Sequence, residues 1–290
     1  MALLVAYSQE YGALIDAEMA YDLYWSGTIK DKSAFSCPSD HCKGKVTCAN
    51  LDKAEQDLLQ TPHFRSYRHD DSCDLNNSSE STKETNKTVT EFVEQRPQGM
   101  LKKQQANRNE KQASLNSTAD KRNYQPSFYT VRSLVTKFIQ YRQADELEQH
   151  YIGISGQQLS YKQLFKGVYN QPLHRLPEHK TVYWGVAYVD KLKKSGDYRI
   201  KFVEAFNSED KTINPSFFID HTELDEYAIK PLLQTRLEKV IAEKDKRAFV
   251  FIYSEPPKLA KSGEYINFNV DSLDHIEIRY LDLFKQLVKK

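Results

Sequence analysis

All four cysteines of this 290-residue chain fall between positions 37 and 73. In a reducing compartment, thiols crowded this closely read as a metal site before they read as disulfides. The first segment runs Phe35-Ser36-Cys37-Pro38-Ser39-Asp40-His41-Cys42-Lys43-Gly44-Lys45-Val46, and the second runs Pro62-His63-Phe64-Arg65-Ser66-Tyr67-Arg68-His69-Asp70-Asp71-Ser72-Cys73. Zinc takes four soft or borderline donors in a tetrahedron. The C-x4-C pair supplies two donors from one turn, with Gly44 relaxing the backbone behind it, and the H-x3-C pair supplies two more. Cys37, Cys42, His69 and Cys73 are therefore the expected ligands of one structural Zn2+. His41, Cys48 and His63 are spare donors, and His63 can stand in for His69. The plainer readings are four free thiols in a small core, or a disulfide. The sequence has no H-E-x-x-H and no deaminase H-x-E…P-C-x-x-C pattern, which favours a closed, structural site.

The length allows one large or two ordinary domains with a real core. The formal net charge is +1, which excludes a uniformly basic protein but not a local basic face. Residues 1–75 carry seven Lys/Arg against twelve Asp/Glu, whereas 76–123 and 124–290 are each slightly basic. The N-terminus has no basic lead of a signal peptide and no apolar run reaches membrane length, so the expectation is a cytoplasmic protein without membrane contact.

Composition divides the chain into three. Residues 1–75 hold the cysteines. A helix is expected over Asp16–Trp25, with short strands at Ser33–Cys37 and Lys45–Cys48. Residues 76–123 are polar, rich in Gln, Asn, Lys and Ser, and read as a flexible linker with a transient helix near Met100–Asn109. Residues 124–290 read as an α+β domain. Val131–Gln143 fits helix or strand, and Ser160–Tyr169 follows a helical pattern. Strands are expected at 181–189, 198–206 and 216–219, then a helix over Tyr227–Lys244 with Pro231 in its first turn. Strands at 248–253, 265–270 and 275–280 and a short helix at Asp282–Lys289 complete the chain.

The cysteine region resembles the N-terminal zinc-ribbon-like region of the competence protein CoiA-like family. The likeness rests on "AFSCPSDHCKGKV…TPHFRSYRHDDSC" and on the lead-in "IDAEMA", about a fifth of the chain. This sequence departs from the family pattern in its wider C-x4-C pair and in His63-Phe64-x4-His69. The resemblance implies a bacterial competence, mobile-element or phage-defence setting. It also raises a metal-dependent nuclease, which would need Asp followed by Glu-x-Lys on adjacent strands. Asp197 with Glu204, and Asp271 and Asp274 with Glu277, lack the lysine in that order, and Glu264 has no lysine two residues on.

The order strand, strand, short strand, helix, strand resembles an OB-fold, which binds oligonucleotides across one face. If so, Trp184, Tyr188 and Tyr253 supply stacking rings and Arg199 and Lys201 supply cations. The plainer reading puts Trp184 and Tyr188 in the core. No P-loop, GxGxxG or GxSxG motif is present, and no small-molecule substrate is evident. The expectation is a non-catalytic zinc protein whose partner is nucleic acid, single-stranded for preference, or a larger protein complex. The alternatives are the nuclease and a subunit that contacts protein alone.

Overall fold

The computed structural model describes residues 2–3, 5–39, 42–53, 60–70, 73, 90–94, 127–128, 130–169, 171–208, 211–227 and 229–281. It is a mixed α+β protein whose chain divides into two compact units. One takes Met1–Thr90 and Arg96–Ser127, and the other Glu91–Gln95 and Phe128–Lys290. No helix among the described residues is long and apolar enough to cross a membrane.

The first unit is built from β1 (Ala2–Leu3), β2 (Val5–Ser8), β3 (Ala13–Asp16), α1 (Ala17–Trp25), β4 (Phe35–Ser36), β5 (Lys45–Ala49) and β6 (His63–Ser66). The strands pair in the order β1-β6-β5-β4-β2-β3, antiparallel throughout. Asp16 caps α1, its carboxylate accepting from Met19 N at 2.8 Å, as the expected helix start required. Alternation along β5 turns Val46 and Cys48 inward. Val46 joins Tyr21, Leu23, Phe35 and Phe64 in the core, where the Phe35 and Phe64 rings lie 5.2 Å apart. The strand expected over Ser33–Cys37 is only two residues long, because Cys37 leaves the sheet and donates its N–H to Gly44 O instead.

The second unit begins with a surprise in the polar stretch. β7 (Thr90–Phe92) joins β8 (Ser127–Phe128), β9 (Tyr151–Ile154) and β10 (Gln157–Ser160) in the order β10-β9-β7-β8. Phe92 is buried, with its ring 5.0 Å from that of Tyr253. The expected linker is thus interrupted by a docked strand. The rest of it, including the helix expected near 100–109, lies outside the described residues, as does the helix expected at 282–289. The ambiguous Val131–Gln143 segment is α2 (Val131–Ala144), with Val131, Leu134, Val135 and Phe138 buried at helical spacing.

The expected helix over 160–169 is a single turn, α3 (Tyr161–Leu164), closed by a capping box between Ser160 and Gln163. It gives way to β11 (Phe165–Gly167), which pairs in parallel with the strand at 181–191. Phe165 stacks on Phe138 at 4.0 Å, so tertiary packing overrides the helical pattern there. After β12 (Gln171–Pro172) come β13 (Thr181–Lys191), β14 (Tyr198–Phe202), β15 (Phe206–Ser208), β16 (Lys211–Ile213) and β17 (Pro215–Ile219). The strand expected over 198–206 breaks after Phe202, and β15 moves to a small sheet with β12 and β16. A short helix the sequence did not announce, α4 (His221–Glu226), precedes α5 (Lys230–Ala242), which is the helix expected over 227–244, with Pro231 in its first turn. β18 (Arg247–Ser254), β19 (Lys258–Leu259), β20 (Ile266–Asn267) and β21 (Ile276–Arg279) end the described chain.

The large sheet runs β19-β20-β17-β14-β13-β18-β21. It curls into a half-barrel. Within it β18, β13, β14 and β17 lie side by side, the Greek-key order in which a fourth strand returns beside the first. Both faces are used. Tyr183, Ala187 and Val189 pack toward Leu233, Leu237 and Val240 of α5. On the opposite face Val182, Phe249, Phe251 and Tyr253 pack with Val131, Leu134, Val135 and Phe138 of α2.

Candidate metal centre and sheet face

The loop between β4 and β5 and the segment after β6 bring Cys37, Cys42, His69 and Cys73 together. Their Sγ and ring-nitrogen atoms all lie within 4.8 Å of one another. Cys37 Sγ is 3.7 Å from Cys73 Sγ, and His69 Nδ1 is 3.5 Å from Cys42 Sγ and 3.4 Å from Cys73 Sγ. An ion bound tetrahedrally at ~2.3 Å to sulfur and ~2.0–2.1 Å to nitrogen requires S–S edges of roughly 3.8 Å and S–N edges of roughly 3.6 Å. The donors stand close to those spacings, and the Cys37–Cys73 separation is far longer than an S–S bond of about 2.05 Å. All four cysteines are free. The donor set, three thiols and one imidazole, fits a metal ion.

The backbone holds these donors from both sides. Cys37 N donates to Gly44 O at 2.8 Å, Cys42 N to Ser39 O at 3.2 Å, and Cys73 N to Asp70 O at 2.8 Å. Gly44 N and Asp70 N point at Cys42 Sγ, at 3.3 and 3.4 Å. Lys43 N donates to Asp70 Oδ2 at 2.7 Å and ties the two limbs together. Gly44 sits at the pinch: a Cβ there would stand 2.6 Å from Arg68 O and 3.1 Å from Cys42 Sγ. Burial opposes ionisation of Cys42 most strongly, yet the amides of Asp70 and Gly44, with the His69 and Cys73 side chains, outweigh it and bring the thiol down to about 7. Cys37 is pushed up to about 12, chiefly by burial.

The spare donors go elsewhere. Cys48 is buried in β5, and burial, then the Glu18 and Asp16 carboxylates, push its thiol up to about 12. His63 is occupied on both ring nitrogens, Nδ1 by Thr61 O at 2.9 Å and Nε2 by Arg65 Nε–H at 3.0 Å. His41 lies outside the described residues. Strand pairing makes the choice between the histidines. His63 is locked opposite Ala49 in the β5–β6 ladder, whereas His69 lies beyond the end of β6 on the limb that carries Cys73.

The five residues expected to contact nucleic acid separate. Tyr188, Arg199 and Lys201 lie on one exposed patch of the half-barrel. Tyr188 faces Lys201 across the β13–β14 ladder, and Arg247 faces Tyr188 from β18. Arg199 pairs with Asp190 at 3.0 Å, opposite exposed Phe218. Tyr253 needs correcting: it is 1% exposed, packed against Phe92 and His275, and offers no face to a base. Trp184 is half-buried among Phe138, Phe249 and Phe251, with the Arg142 guanidinium 5.2 Å from its ring. Trp184 and Tyr188 share a strand face, but helix α2 covers only the Trp184 half of it.

Four of the carboxylates weighed for a nuclease have a partner. Asp197 accepts from the His221 side chain at 2.9 Å, Asp274 from Tyr227 OH at 2.7 Å, and Glu277 is buried between Arg236 and Arg279. Asp271 pairs with Lys180 at 3.1 Å, and Lys180 pairs with Glu94 at 2.9 Å. Glu94 also accepts from Ser155 Oγ and Tyr253 OH. Sequence reading missed this hub because its members lie far apart in the chain. Asp197, Asp220 and His221 form a second close group, on the surface. No protein-family model, curated protein or solved structure matches the chain.

Proposed function

We propose that this chain is a non-catalytic, zinc-containing nucleic-acid-binding protein. Cys37, Cys42, His69 and Cys73 hold one zinc ion and so shape a zinc-ribbon-like module, and the β-rich unit takes a single strand in the manner of an OB-fold. Three thiolates and one imidazole at tetrahedral spacing are the donors zinc prefers over the harder divalent ions. Four protein donors leave no open position for water, which supports a structural site over a catalytic one. The Greek-key order and the helix between the third and fourth strands support the OB-like reading. The likeness of the cysteine segments to the CoiA-like family favours a bacterial competence, mobile-element or defence setting.

One observation carries the nucleic-acid reading. On a sheet whose central strands are packed from both sides nearby, an exposed patch presents Tyr188 directly opposite Lys201, flanked by Arg247 and Arg199. Arg199 and Arg247 pair with Asp190 and Asp245, but exposed pairs of this kind are worth ~1 kcal/mol or less and yield readily to phosphate. A ring beside cations is the arrangement that holds single strands by stacking and charge together. The test is binding of a fluorescent oligothymidylate to the full chain. Tyr188→Ala with Lys201→Ala should weaken binding roughly 10- to 100-fold, in keeping with ~1–3 kcal/mol for a lost stack. Unchanged affinity removes the sheet face from the account, and carboxylate-dependent cleavage with magnesium or manganese replaces it with an enzyme.

A further inference from the structure

The residues around the metal centre do more than hold it. A cleft of about 480 Å3 is lined by Lys43, Gly44, Lys45, Tyr67, Arg68 and Asp70 together with the ligand His69. This lies within the ~300–1,000 Å3 range of ligand pockets. The first 75 residues are net acidic, with seven cationic side chains in all, and three of the seven converge here. Among the described residues none of Lys43, Lys45 and Arg68 has a carboxylate partner. All three are exposed, and Tyr67 stands among them at 74% exposure. Among the described residues Asp70 is the one acid that lines it, and its Oδ2 is held by Lys43 N. A divalent ion with three thiolates adds a single negative charge, so among the described residues of the cleft the cations remain in excess.

We infer that this cleft is a second nucleic-acid site, which takes backbone phosphates on Lys43, Lys45 and Arg68 and a base on the Tyr67 ring. Unpaired cations spaced along an open cleft attract a polyanion by counterion release, and an exposed ring beside them accepts any base. The cleft is shaped by the same limbs that carry the metal: Gly44 touches Arg68 O, Tyr67 N donates to Lys45 O at 3.4 Å, and Lys43 and Arg68 adjoin ligands Cys42 and His69. Binding here therefore depends on the metal. The inference does not rest on the sheet-face reading, which concerns other residues in the other unit.

The experiment measures oligothymidylate binding by the full-length, metal-loaded chain across a salt series. Lys43→Ala, Lys45→Ala and Arg68→Ala together should lower the slope of log affinity against log salt by about 2, at ~0.7 per phosphate contact, with metal content unchanged. Should the triple variant lose metal, Lys45→Gln and Arg68→Gln singly carry the test, each lowering the slope by about 0.7. Tyr67→Ala should weaken binding about tenfold, and chelation of the wild-type chain should remove the same increment as the triple variant. An unchanged slope in metal-loaded variants overturns the site, and leaves the sheet face standing if Tyr188→Ala with Lys201→Ala abolishes binding. Displacement of the oligonucleotide by inorganic phosphate, or by polyglutamate at equal charge concentration, also overturns it, in favour of a small phosphorylated ligand or an acidic protein.

Discussion

Gly44→Ala is the most economical way to test how the metal centre is built. The added Cβ would sit 2.6 Å from Arg68 O, 3.1 Å from Cys42 Sγ and 3.4 Å from His69 Cα, where ordinary contact begins near 3.4 Å. The shortest of these is backbone and cannot swing away, so the two limbs must part by several tenths of an ångström. That displacement falls on the edge between Cys42 and His69, now 3.5 Å, close to the roughly 3.6 Å a tetrahedral ion requires. Overpacking of this kind costs ~1–3 kcal/mol. Metal binding couples to folding at sites of this kind, so the cost should appear as a loss of roughly 5- to 150-fold in metal affinity. Competition against a chromophoric chelator measures it on the full chain, with Lys45→Ala as the neighbouring control that leaves affinity unchanged. Wild-type affinity in Gly44→Ala would refute the close approach of the two limbs.

Other outcomes follow from the same structure. Metal uptake at pH 7 must displace the proton of Cys37, whose thiol is pushed up to about 12; calorimetry in buffers of different ionisation enthalpy should read at least one proton released per ion. Glu277→Ala leaves Arg236 buried and without its carboxylate, and should cost ~3–5 kcal/mol in denaturant unfolding; a loss below about 1 kcal/mol would mean that Arg236 is satisfied without it. The Asp197 carboxylate is held down near 2, first by Ser195 and then by His221, and His221 is raised by Asp197. The carboxylate's contribution is present above about pH 4 and is lost as pH falls toward 2, and the imidazole's is present below about pH 6.5 and is lost as pH rises through its raised value. In an NMR titration Asp197→Asn should therefore lower the His221 midpoint, and an unmoved midpoint would contradict the pairing.

The cysteine cluster was legible because thiols announce chemistry without help from the fold, whereas the choice of histidine was not. The H-x3-C spacing favours His69 but leaves His63 able to stand in, and the register of β6 against β5 removes His63. Periodicity found α1 but left α2 undecided between helix and strand, and it overran at 165, where pairing with β13 and the stack on Phe138 outweigh a helical pattern. Strand parity alone places Trp184 and Tyr188 on one face. It could not foresee that α2 would cover the first and leave the second bare, because that depends on how far one helix reaches across the sheet. Three residues of strand in a polar stretch carry too little pattern to announce themselves, so the docking of Phe92 beside Tyr253 was hidden. The cationic cleft was hidden for a related reason. Its lysines and arginine are divided between two segments of a net-acidic region, and regional charge averages them away.

Three cysteines and His69 are proposed to enclose one zinc ion. X-ray absorption at the zinc edge on the purified full-length chain, with the metal content of the same sample, tests it most directly. The expected result is one zinc per chain, coordinated by three sulfurs at about 2.3 Å and one nitrogen at about 2.0–2.1 Å, with Cys73→Ser reducing zinc content sharply. Absence of metal, a four-sulfur shell that recruits Cys48, or a shell with oxygen at an open position would contradict it.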